Sequence, residues 1–403
     1  MQPLATAEAA LVAGLDAAAM LAQVEAWSAI PSGTGNLPGL AAQAVALAHA
    51  LAVLPGEPEL IAPAPVQTIA ADGSPVPQAH GHHLVLRVRP NAERRLLLTG
   101  HMDTVFGPDH PFQGVRRIDA ETLSGPGVAD MKGGLAVMIA ALAAFEASPA
   151  AGAIGYDVLV NSDEEAGSPS SAALVAALAR GKVAALTYEP ALLPDGTLAG
   201  ARGGSGNFSA VVTGRAAHAG RNPGWGRNAV VAAGDLALRL KAMESASFTA
   251  NPARIDGGGA NNVVPDHAVL RFNVRPGDEV DAERFSRAIY GLCREIELEH
   301  EVRVVLHGAM SRPPKPLTPA SERLLGLVAQ CGAALGQTIA WKPSGGVCDG
   351  NNIAAQGVPV VDTMGVRGGA IHSAEEYLSV ASRAERAALS ALVLHRLASG
   401  GAA

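Results

Sequence analysis

The sequence predicts an α/β fold, in which helices cover both faces of a mixed, largely parallel sheet. From about Leu84, short apolar segments alternate with helical ones, in residues 95–99, 133–147, 156–161, 170–180 and 183–188. Strands that alternate with helices are typical of a parallel sheet covered on both faces. The chain has 403 residues, which exceeds the size at which one hydrophobic core stops growing, so we expect two domains.

A second pattern begins near Gly200. Strand, helix, strand, strand, helix and strand are predicted in that order for residues 207–213, 227–242, 253–256, 267–274, 282–297 and 302–306. This is the order of the split ferredoxin-like unit, which can fold as an inserted α+β domain. After the proline-rich stretch 312–316, a helix at 320–335 and a strand at 358–363 resume the first pattern. We therefore predict a discontinuous main domain, residues 1–202 and 315–403, and an inserted domain, residues 203–314.

Composition and charge exclude several kinds of partner. Only 3% of the residues are aromatic and the net charge is -7, which argues against a surface that stacks bases or binds phosphates. Cys293, Cys331 and Cys348 are widely spaced and form no CxxC pair, so neither a disulfide framework nor a thiolate zinc site is indicated. We expect a cytoplasmic protein with a small-molecule partner and no nucleic acid.

The N-terminal apolar stretch, residues 6–30, is predicted to be one amphipathic surface helix. Glu8 and Asp16 interrupt it and no Lys or Arg precedes Arg87, so the cationic start of a secretory signal is missing. No run reaches the roughly 18 apolar residues of a membrane span. We expect no association with a membrane.

Imidazole and carboxylate groups follow several predicted strands. The first are His101 and Asp103, directly after strand 95–99. The others are Asp130 in the glycine-rich loop 125–134, Asp163-Glu164-Glu165 after strand 156–161, Glu189 after strand 183–188, and His372 in the loop 367–373. Each has an ordinary alternative on its own: loop hydrogen bonding, a phosphate-binding loop, or a solvated acidic turn.

Taken together, these groups predict a site for divalent cations. Open parallel sheets bind their ligands at the carboxyl ends of the strands, where these residues fall. The glycine-rich loop lacks the Walker spacing, and Asp130 within it would repel a phosphate but suit a cation. Two histidines and several carboxylates, without cysteine, are suited to hard or borderline divalent metals in a catalytic site.

In this order and spacing, the motifs resemble those of the zinc aminoacylases and exopeptidases. That family includes bacterial glutamate carboxypeptidase, acetylornithine deacetylase and succinyl-diaminopimelate desuccinylase, and the resemblance covers almost the whole chain. It implies a catalytic main domain with two Zn²⁺ per subunit, which Co²⁺ or Mn²⁺ could replace, and an inserted lid domain that forms a homodimer. It implies that His101 binds one metal, Asp130 bridges both, Glu165 and His372 bind the second, and Glu189 completes the site of the first.

The resemblance implies that Glu164 is the general base and that Asp103 accepts a hydrogen bond from His101 and orients it. Two bridged cations would lower the pKa of a water molecule and polarise the scissile carbonyl. Glu164 would take the proton during attack and return it to the departing amine, so it must stay uncoordinated. Successive side chains of extended backbone point to opposite sides, which allows Glu164 and Glu165 to have different roles.

The inserted domain carries the substrate-binding half of the resemblance. His218 matches a histidine that reaches into the partner subunit's site and helps to hold the oxyanion. Asn262, Arg275 and Arg312 match positions that bind the substrate's carboxylate, and Gly346 is predicted to contact the substrate as well. An arginine fork on a carboxylate is a strong, directional contact. A plain surface role for His218 and a strand-end role for Arg275 are the structural alternatives.

Cys348 departs from the resemblance, since it stands where the family has serine or threonine. A nucleophilic thiol and a small, partly buried side chain are both compatible with this position, and the second is favoured because an activated water is already the nucleophile. The resemblance also implies a cis peptide bond between Asp130 and Met131.

These features predict a hydrolase that cuts an amide bond next to a free carboxylate, in a small peptide or N-acyl amino acid. The glutamate at position 189, where an aspartate could stand, is similar to the carboxypeptidase and deacylase branch of the family. The sequence as a whole resembles glutamate carboxypeptidase. Members of the family that release glutamate can carry a lysine in the segment that matches residues 193–198. This chain has no lysine there, which argues against glutamate specificity. An N-acyl amino acid deacylase of the acetylornithine deacetylase or desuccinylase type is the alternative. A non-catalytic binding protein of this fold would be expected to have lost at least one metal ligand or the base, and none is lost.

Overall fold

The computed structural model describes residues 4–401. Its α-helices are α1 (Thr6–Ala13), α2 (Ala17–Ser28), α3 (Leu37–Leu51), α4 (Gly133–Glu146), α5 (Ala172–Ala179), α6 (Ala229–Ala242), α7 (Glu279–His300), α8 (Pro319–Ala334), α9 (Asp349–Ala354) and α10 (Ser382–Ala398). Its strands are β1 (Glu59–Ile61), β2 (Val66–Ile69), β3 (Pro75–Gln78), β4 (His83–Val88), β5 (Arg95–His101), β6 (Arg116–Arg117), β7 (Thr122–Ser124), β8 (Gly155–Asn161), β9 (Ala184–Thr187), β10 (Leu198–Arg202), β11 (Ser205–Thr213), β12 (Ala217–His218), β13 (Phe248–Gly257), β14 (Val263–Val264), β15 (His267–Pro276), β16 (Arg303–Arg312), β17 (Trp341–Ser344), β18 (Val360–Val361), β19 (Gly368–Gly369) and β20 (Tyr377–Ser379).

A six-stranded sheet in the order β1-β4-β8-β5-β9-β18 forms the centre of the larger unit. Strands β8, β5, β9 and β18 pair in parallel, whereas β1 and β4 add antiparallel pairs at one edge. The prediction of a mixed, largely parallel sheet is confirmed. The carboxyl ends of β5, β8 and β9 lie at the same edge, so the loops that follow them meet there.

Neighbouring side chains of this sheet enter two separate cores. Leu96 and Leu98 of β5 belong to the larger core, which includes residues of α4 and α10, while Leu97 belongs to a smaller core with residues of α5 and α9. Side chains alternate between the two faces of a strand, so a continuous apolar run indicates a strand buried on both sides. Helices therefore cover both faces, as predicted.

The second sheet has the order β13-β15-β11-β16, and all its pairs are antiparallel. It shares a hydrophobic core of its own with α6 and α7, which includes Phe208, Phe272 and Phe285. This sheet and its two helices form the inserted unit, and the six-stranded sheet with its helices forms the larger unit. The predicted ferredoxin-like order of strands and helices is confirmed. The domain limits, residues 203–314 against 1–202 and 315–403, stay a prediction.

The two chain segments that join these sheets lie side by side. The backbone of Arg202 exchanges two hydrogen bonds with that of Lys315, of 2.8 and 2.9 Å. The buried Asp362 carboxylate accepts a hydrogen bond from Arg202 Nε at 2.8 Å and forms an ion pair with Lys315 Nζ at 2.9 Å. Although burial acts in the opposite direction, these two charges lower the pKa of Asp362 to about 2. Both connections are therefore anchored in the larger unit.

The N-terminal stretch differs from the single surface helix predicted for residues 6–30, and that prediction is wrong. Helix α1 ends before Gly14, and the Asp16 carboxylate accepts two backbone N–H bonds from the first turn of α2. Asp16 is thus the N-cap of a new helix rather than an interruption of one. Val24 and Trp27 of α2 lie in the larger core.

The segment Val128–Glu146, which contains α4, is long and apolar enough to cross a membrane, but 83% of the residues in that window are buried within the protein. Helices α1 and α2 pass the same test only as a pair bent by 44°. A buried core helix of a globular protein has the same length and composition.

Candidate active site

The carboxyl ends of three neighbouring strands place acidic and imidazole groups around one point. His101 is the last residue of β5, Glu165 lies in a 3-10 turn that follows β8, and Glu189 follows β9. Asp130 and His372 reach the same point from the loops that precede α4 and follow β19. The five residues predicted as metal ligands are thus neighbours.

Asp130 lies between the two histidines. Its Oδ1 is 3.1 Å from His101 Nε2, and its Oδ2 is 3.2 Å from His372 Nε2. Each histidine faces a further carboxylate: Glu189 Oε2 lies 3.7 Å from His101 Nε2, and Glu165 Oε2 lies 3.2 Å from His372 Nε2. The geometry offers two sets of ligand atoms that share the Asp130 carboxylate, as a two-metal site requires.

Two groups of side chains have ligand atoms within 4.8 Å of one another: His101, Asp130 and Glu165, and His101, Glu164 and Glu189. The second group includes Glu164, which is predicted to stay uncoordinated. Its Oε1 accepts a hydrogen bond from Arg312 at 2.7 Å. An arginine therefore competes with a cation for this carboxylate, which favours the role of a base over that of a ligand.

Two of these carboxyl groups resist ionisation. Burial and the negative charge of Asp130 raise the pKa of Glu165 to about 8, and burial raises the pKa of Glu189. Hydrogen bonds to Asp130 and Glu165 raise the pKa of His372 to about 11. Buried like charges are unfavourable unless an opposite charge compensates them. Carboxylates and imidazoles are ligands that Zn²⁺ and similar ions accept, so these residues fit a pair of divalent cations.

The buried Asp103 carboxylate holds the turn after β8. It accepts the backbone N–H groups of Glu164 and Glu165, both at 3.2 Å, and the hydroxyl of Thr34 at 2.6 Å. His101 Nδ1 lies 2.9 Å from the backbone carbonyl oxygen of Asp103 and 3.4 Å from its Oδ1. The structure brings Asp103 next to His101 as predicted, but the shorter contact involves the main chain.

Two buried charges that the sequence analysis did not single out hold the Asp130 loop. The Glu376 carboxylate accepts three backbone N–H bonds from this loop, including that of Asp130 at 3.0 Å. Lys132 Nζ donates to two carbonyl oxygens at the end of α2, both at 3.0 Å. The sequence offers no signal for Glu376, because it is remote in sequence from the loop it holds. The peptide bond between Asp130 and Met131 is cis, as predicted.

Asp349 is a third charge to which the sequence analysis gave no role. Its oxygens accept hydrogen bonds from Arg312, Ser168 and Asn161, each at 2.6 Å. Arg312 is only 2% exposed. Arg312, which is predicted to bind the substrate's carboxylate, is thus surrounded by protein groups. Asp349 directly follows Cys348, and its place beside a position of the family resemblance is the signal that the sequence offers for it.

The predicted substrate residues His218 and Asn262 are exposed. They lie on adjacent segments, since the N–H of Ala219 donates to the Asn262 carbonyl at 2.9 Å. His218 Nδ1 accepts the N–H of Gly220 at 3.1 Å. Within residues 4–401, no hydrogen bond or ion pair joins either residue to the predicted metal ligands.

Arg275 and Gly346 are also exposed. Arg275 donates from Nε to Asn273 Oδ1 at 2.8 Å, and burial together with the nearby charge of Arg312 lowers its pKa. The carbonyl of Gly346 accepts a hydrogen bond from Arg202 at 2.9 Å. The substrate-binding roles of these residues stay predictions.

Cys348 is 3% exposed and lies at the start of α9. Burial raises the pKa of its thiol well above the usual value. A thiol that resists ionisation is a poor nucleophile, so the structure favours the small buried side chain over the reactive cysteine.

A carboxylate–histidine centre at the carboxyl edge of an α/β sheet, with a second antiparallel domain-like unit beside it, is typical of a metal-dependent hydrolase. The sequence confirms this class in more specific terms. The chain belongs to peptidase family M20/M25/M40, whose sequence profile matches residues 97–396.

Curated relatives include two kinds of enzyme. Carboxypeptidase G2 of Pseudomonas sp. (strain RS-16) is 28% identical over 325 residues, which cover 79% of this chain and 78% of the relative. A succinyl-diaminopimelate desuccinylase of Xanthomonas oryzae pv. oryzae is 31% identical over 324 residues, which cover 75% of this chain and 83% of the relative.

Solved structures share the fold. A tripeptidase of Staphylococcus aureus has a TM-score of 0.74 at 22% identity, with 96% of this chain and all of that chain covered. A peptidase of the M20 family from Bacillus subtilis, described as dinuclear metal-binding, has a TM-score of 0.66 at 13% identity, with 95% of this chain and 98% of that chain covered.

Proposed function

We propose that this protein is a dinuclear zinc hydrolase that cleaves an amide bond next to a free carboxylate, and so releases the C-terminal amino acid of a peptide or N-acyl amino acid. The observation that carries the proposal is the Asp130 carboxylate, which presents one oxygen to His101 and the other to His372. A single bridging carboxylate between two ligand sets has a direct use in two-metal hydrolysis.

His101, Asp130 and Glu189 would hold one cation, and Asp130, Glu165 and His372 the other. Two such cations would polarise the scissile carbonyl and lower the pKa of the attacking water. Asp103 and Glu376 keep the ligand-bearing segments in place, since each accepts two or more backbone N–H bonds from them. Residues that orient metal ligands in this way affect metal affinity although they do not touch the ion.

Glu164 would move the proton. It takes a proton from the attacking water and passes it to the amide nitrogen, so that the C–N bond breaks with a neutral amine as the leaving group. The contact between its Oε1 and Arg312 fixes the side chain at the edge of the metal centre.

Arg275 is the best candidate for the substrate's carboxylate. No ion pair involving Arg275 occurs among residues 4–401, whereas its neighbour Arg312 contacts two carboxylates. An exposed guanidinium without an anionic partner is suited to a carboxylate ligand that arrives from solvent. Asn262 and Gly346 would complete this subsite, and His218 would hold the oxyanion.

Two substrate classes follow from the relatives. Release of a C-terminal amino acid, as by a carboxypeptidase, agrees with the similarity to carboxypeptidase G2. Removal of an acyl group from an amino acid is the second candidate, because the desuccinylases reach 31% identity. Segment 193–198 has no lysine, so we do not assign glutamate as the preferred residue.

The inserted unit offers the surface for a homodimer. Val231 and Leu238 of α6 are 55% and 73% exposed, and β13 is an edge strand of its sheet. Two such edges can pair about a two-fold axis and hide each other. In this arrangement His218 and Asn262 serve the site of the partner subunit. The three cysteines are free and buried, which agrees with a cytoplasmic location.

Turnover of a defined panel tests the proposal. The metal-loaded protein is assayed on dipeptides, N-acetyl amino acids and N-succinyl amino acids, each also as the C-terminal amide. We expect about two zinc ions per chain, turnover of at least one acid, and much slower turnover of the matching amide. Metal binding without turnover of any panel member would support a non-catalytic binding protein instead.

A further inference from the structure

We propose that Arg312 is a positioning residue for the general base Glu164, and that it does not bind the substrate's carboxylate. This inference rests on the proposed function, in which Glu164 moves the proton. Arg312 Nη2 donates to Glu164 Oε1 at 2.7 Å and to the Glu164 backbone carbonyl at 3.2 Å. The guanidinium therefore holds both the side chain and the main chain of the base.

Asp349 fixes Arg312 from the opposite side. Arg312 Nη1 donates to Asp349 Oδ1 at 2.6 Å. Ser168 Oγ donates to the same oxygen and accepts from Arg312 Nη2 at 3.0 Å. Asn161 donates to the other Asp349 oxygen. The buried Arg312 guanidinium thus bridges the carboxylates of Asp349 and Glu164, and its polar neighbours oppose rotation of the guanidinium.

The two terminal nitrogens of Arg312 are occupied by protein acceptors, which leaves them no place for a substrate anion. The residue is also only 2% exposed. Arg275, which the sequence resemblance assigns to the same task, is exposed, and within residues 4–401 its side chain makes one hydrogen bond, to the Asn273 side chain. Substrate access separates the two arginines: Arg275 can meet a carboxylate from solvent, whereas Arg312 would have to break contacts with two acids first.

The position of Arg312 in the chain extends this role. It is the last residue of β16, an edge strand of the inserted sheet, and it pairs with Ser205 at the start of β11. Glu164 and Asp349 belong to the larger unit. The position of Glu164 therefore depends on how β16 packs against the larger unit. The two units are thus in contact at the residue that is proposed to transfer the proton.

Kinetics of matched arginine variants test the proposal on the best substrate of the panel. For Arg312→Met we expect kcat to fall about 100-fold, the scale of a misplaced general base, with KM within about threefold of wild type. Arg312→Lys should recover part of kcat, because an ammonium can still reach Glu164 Oε1. Arg275→Met should show the reverse split, with a raised KM. Arg383→Met controls for the loss of a buried arginine, since Arg383 is buried and donates to the carbonyl oxygens of Val380 and Ala17, which lie outside the centre.

A double-mutant comparison separates positioning from direct action. In the Glu164→Gln background, Arg312→Met should cause little further loss of single-turnover rate, because the group that it positions is already gone. A raised KM for Arg312→Met, or an equal additional loss in the Glu164→Gln background, would overturn the proposal. Zinc content and thermal unfolding of each variant are measured alongside.

Crystal structures of the zinc-loaded wild type and Arg312→Met keep the inference testable without turnover. We expect the Glu164 carboxylate to contact Arg312 in the wild type and to move by about 2 Å or occupy several rotamers in the variant. An unmoved Glu164 carboxylate would overturn the positioning role. If no panel member is hydrolysed while Glu164 moves as expected, the proposed reaction fails and the positioning assignment stands.

Discussion

The carboxylate–histidine centre and the predicted substrate-binding residues differ in how completely one chain builds them. In the centre, Asp130 and Glu189 are buried and lie within 3.7 Å of a histidine nitrogen. His218 and Asn262, in contrast, are exposed and bond to their own segment of the inserted unit. In the proposed function, the core of one chain would preorganise the reacting groups, whereas substrate recognition by His218 and Asn262 would require closure of the inserted unit or a second chain.

The largest effect is expected inside the centre, from the two adjacent glutamates. Glu164→Gln should keep both metals and lower kcat by about 10⁴-fold, because base and proton carrier are lost together. Glu165→Gln should lose one metal ion per chain. Zinc content by atomic absorption and kcat on the same samples measure both effects. Equal metal loss in the two variants would contradict the division of roles between these residues.

Variants of His218 test whether a partner subunit contributes substrate-binding residues to the active site. His218→Ala should lower kcat about 10²- to 10³-fold, as for the loss of an oxyanion donor. Mixed with Glu164→Ala under conditions of subunit exchange, it should regain activity in about a quarter of the sites, by the symmetry of a two-fold dimer. If exchange is demonstrated by mass-tagged subunits and no activity returns, His218 does not act across the interface.

A variant of Arg275 tests whether the inserted unit binds the substrate's carboxylate. Arg275→Met should raise KM about 10- to 100-fold, the cost of a lost charge-assisted hydrogen bond, and change kcat less. Substrates whose C-terminus is an amide should be unaffected by the substitution, although they turn over slowly. An equal effect on acid and amide substrates would show that Arg275 does not contact the carboxylate.

The smallest effect is expected from metal removal, which should loosen the carboxylate–histidine centre and leave the core of the inserted unit unchanged. Chelation should lower the free energy of unfolding by about 3 kcal/mol when the metal was present at roughly 100 times its Kd. Hydrogen exchange should then accelerate in the loops that carry Asp130, Glu165 and His372, where buried acids repel, and not in the core of α6 and β15. Uniform loss of protection across both units would contradict an independent inserted core.

Most of the fold could be predicted from local pattern. The alternation of strands and helices between residues 95 and 188 predicted β5, α4, β8, α5 and β9, because the period of apolar residues depends on near neighbours alone. The N-terminal helices were predicted less well. Asp16 was interpreted as an interruption, and its capping hydrogen bonds show that it starts α2.

A residue that follows a parallel strand must lie at the carboxyl edge of the sheet, so the predicted strands were sufficient to bring three of the site residues together. His101, Glu165 and Glu189 are placed in this way. Only the tertiary structure decided which oxygen faces which histidine, and what Arg312 and Glu376 hold. Arg312 contacts a residue 148 positions away and Glu376 a loop more than 240 positions away. Contacts of that span depend on the packing of whole units, and no local period or motif records them.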